Sequence, residues 1–147
     1  MKALIQRVDF ADVKVDNKSV ASIKLGLLIF IGIYSDDTID DIDKIYNKII
    51  NLRIFDCSDK KNNWSILDIK GDILLVSQFT LCASTKKGNR PSFINAMEPV
   101  NAKIFFNLLF DKLSKNNIKV FKGKFGKDMI VNINNVGPMT IQIDTKE

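Results

Sequence analysis

Along most of the chain, apolar residues either alternate with polar ones or run continuously in short stretches. A helical apolar spacing stands out in two segments. Alternation or continuity predicts strands near Ala3–Val8, Val13–Val15, Val20–Ile23, Leu27–Ile33 and Asp72–Leu81. Later strands are predicted near Lys119–Phe121, Met129–Asn134 and Met139–Asp144. The first helix is predicted to have its N-cap at Ser35 or Asp36 and acidic residues in its opening turn, with Ile39, Ile42, Tyr46, Ile49 and Ile50 on one face. The second opens at Pro99, carries Ile104, Phe105, Leu108, Leu109 and Leu113 as its stripe, and stops at Asn116–Asn117. Both stripes read as core faces. Strands outnumber helices without a regular βαβ alternation. The pattern therefore predicts an α+β domain with a mostly antiparallel, barrel-like sheet and two main helices on one side.

One stretch breaks the pattern. In "LLVSQFTLCA", Leu74, Leu75 and Val76 lead into Ser77, Gln78 and Thr80. Hydroxyl and amide groups on a core strand must find hydrogen-bond partners or cost a few kcal/mol each. A second irregular stretch, "NNVGPMTI" (Asn134–Ile141), places a Gly-Pro step between two strand-like runs. Proline cannot donate to a sheet ladder, so Gly137 and Pro138 should form a bend, a bulge or an edge, and an X-Pro bond is the kind most readily cis. Taken alone, the two stretches also read as a mixed polar strand and a simple turn.

Composition narrows the chemistry. A chain of 147 residues with 46% hydrophobic and 27% charged side chains is expected to form one globular domain spanning residues 1–147. Its longest apolar run, Leu25–Tyr34, is about half a membrane span, and the opening "MKALIQRVDF" does not read as a signal peptide. A cytoplasmic protein with no membrane association is expected.

The chain has no histidine, which removes Ser-His-Asp and Cys-His sites. With only Cys57 and Cys82, neither a four-cysteine zinc site nor a common transition-metal cluster can be assembled, so no metal and no cofactor are expected. The two thiols are expected to be reduced. As a nucleophile, Cys82 would need a lysine or a helix end to form thiolate. Acidic residues Asp40, Asp41 and Asp43 read as a solvated helix face, and "DCSDKKNN" lacks the glycine and terminal glutamate of a calcium loop. No glycine-rich nucleotide-binding loop is present.

Net charge is +5, with basic residues clustered in two places. Lys86, Lys87 and Arg90 follow the odd strand directly, and Lys119, Lys122, Lys124 and Lys127 form a second group. Such clusters fit a polyanion such as nucleic acid, or an ordinary solvated surface.

The two irregular stretches carry a resemblance. The sequence resembles the D-aminoacyl-tRNA deacylases, homodimeric editing enzymes that remove D-amino acids from mischarged tRNA and so act in translation quality control. Their "SQFTL.A" motif stands here as Ser77-Gln78-Phe79-Thr80-Leu81-Cys82-Ala83. Their "N.GPVT" motif stands as Asn135-Val136-Gly137-Pro138-Met139-Thr140, with methionine in place of the usual valine. "ALIQRV", "GLL.F.GI", "LRIF", "KKGNRPSF" and "GKFGKDM" extend the likeness over nearly the whole chain.

The resemblance implies the fold of that family, a homodimer and a tRNA substrate. It implies a cis Gly137–Pro138 bond whose loop enters the partner's site, with main-chain carbonyls that hold the substrate's α-amino group and refuse an L side chain. Arg7 would hold that loop, supported by Asn135 and Thr140. Glycine has no side chain to refuse, so glycine mischarged on tRNA-Ala is an expected substrate. Ser77, Gln78, Phe79 and Thr80 would surround the scissile ester, with amides near Phe79 and Thr80 facing the oxyanion and Gln78 placing the terminal adenosine. Ala96 and Met129 would lie beside that adenosine. Lys86, Lys87 and Arg90 become candidates for tRNA phosphates. A Thr80 nucleophile would need a base that neither motif supplies, so the 2′-OH of the terminal ribose is favoured for activating or orienting water. Two rivals are a non-catalytic RNA-binding domain and a covalent hydrolase of small esters that uses Cys82 or Thr80.

Overall fold

The computed structural model describes all residues, 1–147. Its sheet is organised around β1 (Lys2–Val15), a single strand where the sequence pattern predicts two. Residues Lys2–Val8 of β1 pair antiparallel with β3 (Gly26–Gly32), and Ala11–Val15 pair antiparallel with β2 (Lys18–Ile23). Asp16 and Asn17, both in left-handed backbone, make the tight β1–β2 turn, the conformation that matches the twist of a hairpin. β6 (Ile130–Asp144) runs antiparallel along nearly all of β1.

β3 pairs with β4 (Asp72–Ser77), and β4 with β5 (Val120–Lys122), in parallel. Parallel neighbours need long crossovers, and the helices supply them. Helices α1 (Ile39–Asn51) and α2 (Ile66–Ile69) lie between β3 and β4, and α3 (Pro99–Ser114) lies between β4 and β5. The α+β, barrel-like architecture is as expected, but two of the five strand pairings are parallel rather than antiparallel.

Side-chain alternation on the central strands sorts two cores. Leu27, Ile29 and Ile31 of β3 pack with Ile42, Ile45 and Ile49 of α1 and with Phe106, Leu109 and Leu113 of α3. Leu28 points the other way, into a cluster with Val8, Val13, Leu74 and Val76. Each fully buried branched side chain contributes about 1.5–3 kcal/mol relative to exposure.

Four local expectations are corrected. The N-cap of α1 is Thr38, not Ser35 or Asp36, because Asp41 three residues on accepts the Thr38 backbone N–H at 2.9 Å. Asp37 is committed elsewhere, to the N-terminal ammonium at 2.6 Å and the Tyr34 amide at 2.7 Å. On α3 the buried face is Ala102, Phe106, Leu109 and Leu113, whereas Ile104 and Leu108 of the expected stripe are 53% and 42% exposed. The strand expected over Asp72–Leu81 ends at Ser77. The strands expected at Met129–Asn134 and Met139–Asp144 are two limbs of β6.

Candidate functional site

β4 stops where its parallel neighbour stops being able to pair with it. The last register pair is Ile31–Ser77, after which the Gln78 amide donates to the Ile31 carbonyl at 2.8 Å. The chain then coils into a single 3-10 turn, Phe79–Cys82. Leu81 N–H donates to the Gln78 carbonyl at 3.2 Å, and Ala83 N–H donates to that of Thr80 at 3.1 Å. The opening amides, Phe79 and Thr80, are the donors such a turn leaves without a carbonyl of its own. Polar residues in "SQFT" therefore mark the end of a core strand, not its interior.

Ser77, Gln78 and Phe79 form one wall of a cleft of about 600 Å³. Ala96 lines it from the segment before α3, and Met129 lines it from the segment before β6. The Ala96 segment is fixed to the end of β3 by Met97 N–H to Ile33 O and Ser35 N–H to Asn95 O, each 2.9 Å. Thr80 is exposed and is not part of the lining. Its side-chain hydroxyl accepts from the Gln78 carboxamide N–H, a donor that cannot take a proton from it.

Lys86, Lys87 and Arg90 are exposed on an arm closed at its base by two backbone hydrogen bonds between Ser84 and Ser92, 2.8 and 2.9 Å long. The arm returns into Phe93, which lines the cleft and meets Phe79 edge to face with ring centres 5.0 Å apart. Sequence reasoning did not single out Phe93, nor Phe125 and Glu98, which also line the cleft; Lys127, from the second basic group, lines it too. The position of Phe93 just after a basic loop was the one available signal.

Gly137 and Pro138 lie elsewhere and do not line the cleft of their own chain. Their peptide bond is cis, and Gly137 has φ of 121°, in the region that favours glycine. Both are exposed at the apex of a protrusion from β6. Arg7 Nε donates to the Val136 carbonyl at 3.1 Å, while its Nη1 donates to the Ile54 carbonyl at 2.6 Å. Asn135 Oδ1 accepts the Met139 N–H at 2.9 Å, and Asn135 Nδ2 donates to Thr140 Oγ1 at 2.8 Å. The sequence-predicted residues thus fall into three groups, one on the cleft with Thr80 just outside its lining, one on the basic arm and one around the apex.

Both cysteines are free. Burial pushes the Cys82 thiol up to about 11, with the nearby Asp37 carboxylate adding to the effect, so near neutral pH it is a thiol and not a nucleophile. No group of three or more His, Cys, Asp or Glu side chains is gathered in a metal-holding arrangement. No helix is long and apolar enough to cross a membrane.

Comparison with known proteins matches the model of a family described as D-Tyr-tRNA(Tyr) deacylase over residues 4–144. A D-aminoacyl-tRNA deacylase of Aquifex aeolicus is 52% identical over 147 residues, covering 100% of this chain and 99% of that relative. One of Thermosipho melanesiensis is 47% identical over 148 residues, with the same coverage of 100% and 99%. A solved structure described as c-Myc DNA Unwinding Element Binding Protein superposes with a TM-score of 0.94 at 39% identity, covering 99% of each chain. Another, described as a probable eukaryotic D-amino acid tRNA deacylase, shares the fold with a TM-score of 0.84 at 17% identity, covering 97% of each chain.

Proposed function

This chain belongs to the D-aminoacyl-tRNA deacylase family, and we propose that it hydrolyses the ester joining a D-amino acid to the terminal ribose of tRNA, releasing both. The observation that carries this reading is the cleft wall at Ser77–Phe79, where the family's "SQFT" segment leads from β4 into a turn whose two opening amides, Phe79 on the cleft and Thr80 next to it, are free of the turn's own ladder. Ester hydrolysis passes through a tetrahedral oxyanion, and pre-oriented N–H donors stabilise that charge as it develops. The Phe79 and Thr80 amides are assigned to it. Gln78 places the terminal adenosine, with Ala96 and Met129 beside the base.

Nothing hydrogen-bonded to Thr80 acts as a base, which supports a reaction in which the ribose 2′-OH activates or orients the attacking water. The protein contributes position and oxyanion stabilisation. Gly137 and Pro138, exposed and off their own cleft, enter the cleft of a second copy. There the backbone carbonyls hold the α-amino group and leave no room for an L side chain. Glycine is then accepted, so glycyl-tRNA mischarged on tRNA-Ala is a further substrate. Lys86, Lys87 and Arg90 bind phosphates, which suits an enzyme that takes many tRNAs because phosphates carry no sequence information. The working unit is a cytoplasmic homodimer.

Hydrolysis of matched D- and L-aminoacyl-tRNA tests the reading, repeated with a 2′-deoxy terminal adenosine. The D ester should be cleaved selectively, and the deoxy substrate should be far slower. Equal cleavage of both enantiomers defeats the chirality assignment, and full activity on the deoxy substrate defeats the 2′-OH assignment. An active monomer in sedimentation would overturn the cross-subunit arrangement. Tight nucleic-acid binding with no hydrolysis would instead favour a binding protein, as the description of the 39%-identical structure reads for that protein.

A further inference from the structure

β6 leaves register with β1 twice, slightly between Phe10 and Val8 and by much more between Val8 and Gln6. Asn135 pairs with Val8 and Thr140 with Gln6, so the four residues Val136–Met139 stand opposite Arg7 alone. An excess of that size bulges out, and its two limbs must be held at the base if the apex is to project in one direction. Arg7 holds the first limb, through the Val136 carbonyl. The second limb is held differently, through the Thr140 hydroxyl.

Thr140 Oγ1 receives two N–H donors, Asn135 Nδ2 at 2.8 Å and Gln6 Nε2 at 3.2 Å. The Asn135 bond closes the loop on itself, and its direction is fixed because Asn135 Oδ1 already accepts the Met139 amide. The Gln6 bond is the side-chain contact that ties this limb to β1. Consecutive residues of one strand thus grip the two limbs, Arg7 on the side of Val136 and Gln6 on the side of Thr140.

We propose that Gln6 is a positioning residue for the Gly137–Pro138 apex, acting through the Thr140 hydroxyl to set how strictly an L side chain is refused. The proposal rests on the reading of the apex as the chirality filter. Refusal by backbone works only if the apex is held to about half an ångström, so a loosened limb admits the wrong enantiomer before it slows the right one. Gln6 is half-buried, and its hydrogen bond is exposed, so it adds little to overall stability.

The test compares D- and L-tyrosyl-tRNA hydrolysis by the full-length protein and its Gln6→Leu, Gln6→Glu, Thr140→Val and Gln6→Leu/Thr140→Val variants, with melting temperatures. Gln6→Leu should raise the L-to-D rate ratio roughly fivefold, the worth of one exposed hydrogen bond, at an unchanged melting temperature. Gln6→Glu, which can accept the Thr140 hydroxyl proton, should keep the ratio near that of the unaltered protein. The double variant should be no less selective than Thr140→Val alone, because both changes act on one hydroxyl. An unchanged ratio in Gln6→Leu, an equal fall for both enantiomers, or additive effects in the double variant overturn the proposal. Failure of the underlying reading is visible separately, as an unaltered protein that does not distinguish the enantiomers at all.

Discussion

Gly32 lies directly against Leu81: a Cβ added at Gly32 would sit 2.8 Å from the Leu81 Cβ, 3.1 Å from the Cys82 Sγ and 3.2 Å from the Gln78 carbonyl oxygen. Real side chains do not approach that closely, so the 3-10 turn seats on β3 only because residue 32 has no side chain. Gly32→Ala should push the turn away from the strand and move the Phe79 and Thr80 amides with it. Overpacking of this kind costs about 1–3 kcal/mol of stability, and a displacement of about 1 Å at a reacting centre costs about a hundredfold in rate. The expected result is a folded protein with a lowered melting temperature and a large loss of D-aminoacyl-tRNA hydrolysis. Unchanged turnover in Gly32→Ala would show that the turn need not sit on β3.

Gly32 also shows where sequence reading stops. Ser77, Gln78, Gly137 and Pro138 were legible because each is the wrong residue type for its apolar surroundings, and that is visible in one dimension. The value of Gly32 comes from a contact with a segment more than forty residues away, which no local pattern contains. The same limit explains Thr38: Ser35 and Asp36 look like equally good caps until Asp41 is seen to accept the Thr38 amide. It also explains Phe106, whose burial depends on how α3 is turned towards β3 and α1. The division of the candidate residues between cleft and apex depends on the β1–β6 register, a tertiary fact.

Arg7 should not be replaceable by lysine. Its guanidinium spans two carbonyls, those of Val136 and Ile54, from two different nitrogens. An ammonium is one compact charge and cannot reproduce that fork. Arg7→Lys should lose one of the two bonds, on the order of 1 kcal/mol, and should raise L-aminoacyl-tRNA hydrolysis relative to D. Lysine and arginine proteins with the same enantiomer ratio would remove Arg7 from the control of the apex.

Neither hydroxyl nor thiol in the turn should be needed for turnover. Cys82 is 2% exposed and its thiol is pushed up to about 11, so at pH 7 the thiolate fraction is on the order of one in ten thousand. Thr80 has no base beside it, only the Gln78 carboxamide. Cys82→Ala and Thr80→Ala should each keep substantial D-aminoacyl-tRNA hydrolysis, within about tenfold of the unaltered protein. No acyl-enzyme should be trapped on rapid quenching. Loss of all turnover in either variant, or a covalent adduct by mass spectrometry, would restore a nucleophilic mechanism.

Asp41 should make the protein acid-sensitive in a definable window. Its carboxylate is 5% exposed at the start of α1, where it accepts the Thr38 backbone N–H at 2.9 Å and lies 3.9 Å from Lys146 Nζ. Burial alone would raise its pKa, but the Thr145 hydroxyl, the Thr38 amide, Lys146 and the N-terminal ammonium outweigh that effect and lower it to about 2. In the unfolded chain an aspartate titrates near about 3.9. The folded state therefore holds the charged form more tightly. The resulting stability is fully present above the unfolded value and is lost as pH falls from there through about 2. The amount is on the order of 1–2 kcal/mol. Asp144, whose carboxyl is also lowered, acts in the same direction. Asp41→Asn keeps one acceptor for the Thr38 amide but removes the charge. It should be less stable than the unaltered protein in urea titrations at pH 5, and the gap should narrow as the pH approaches 2. A gap that stays constant across that range would mean that the charge of Asp41 contributes nothing and that only its hydrogen bonds matter.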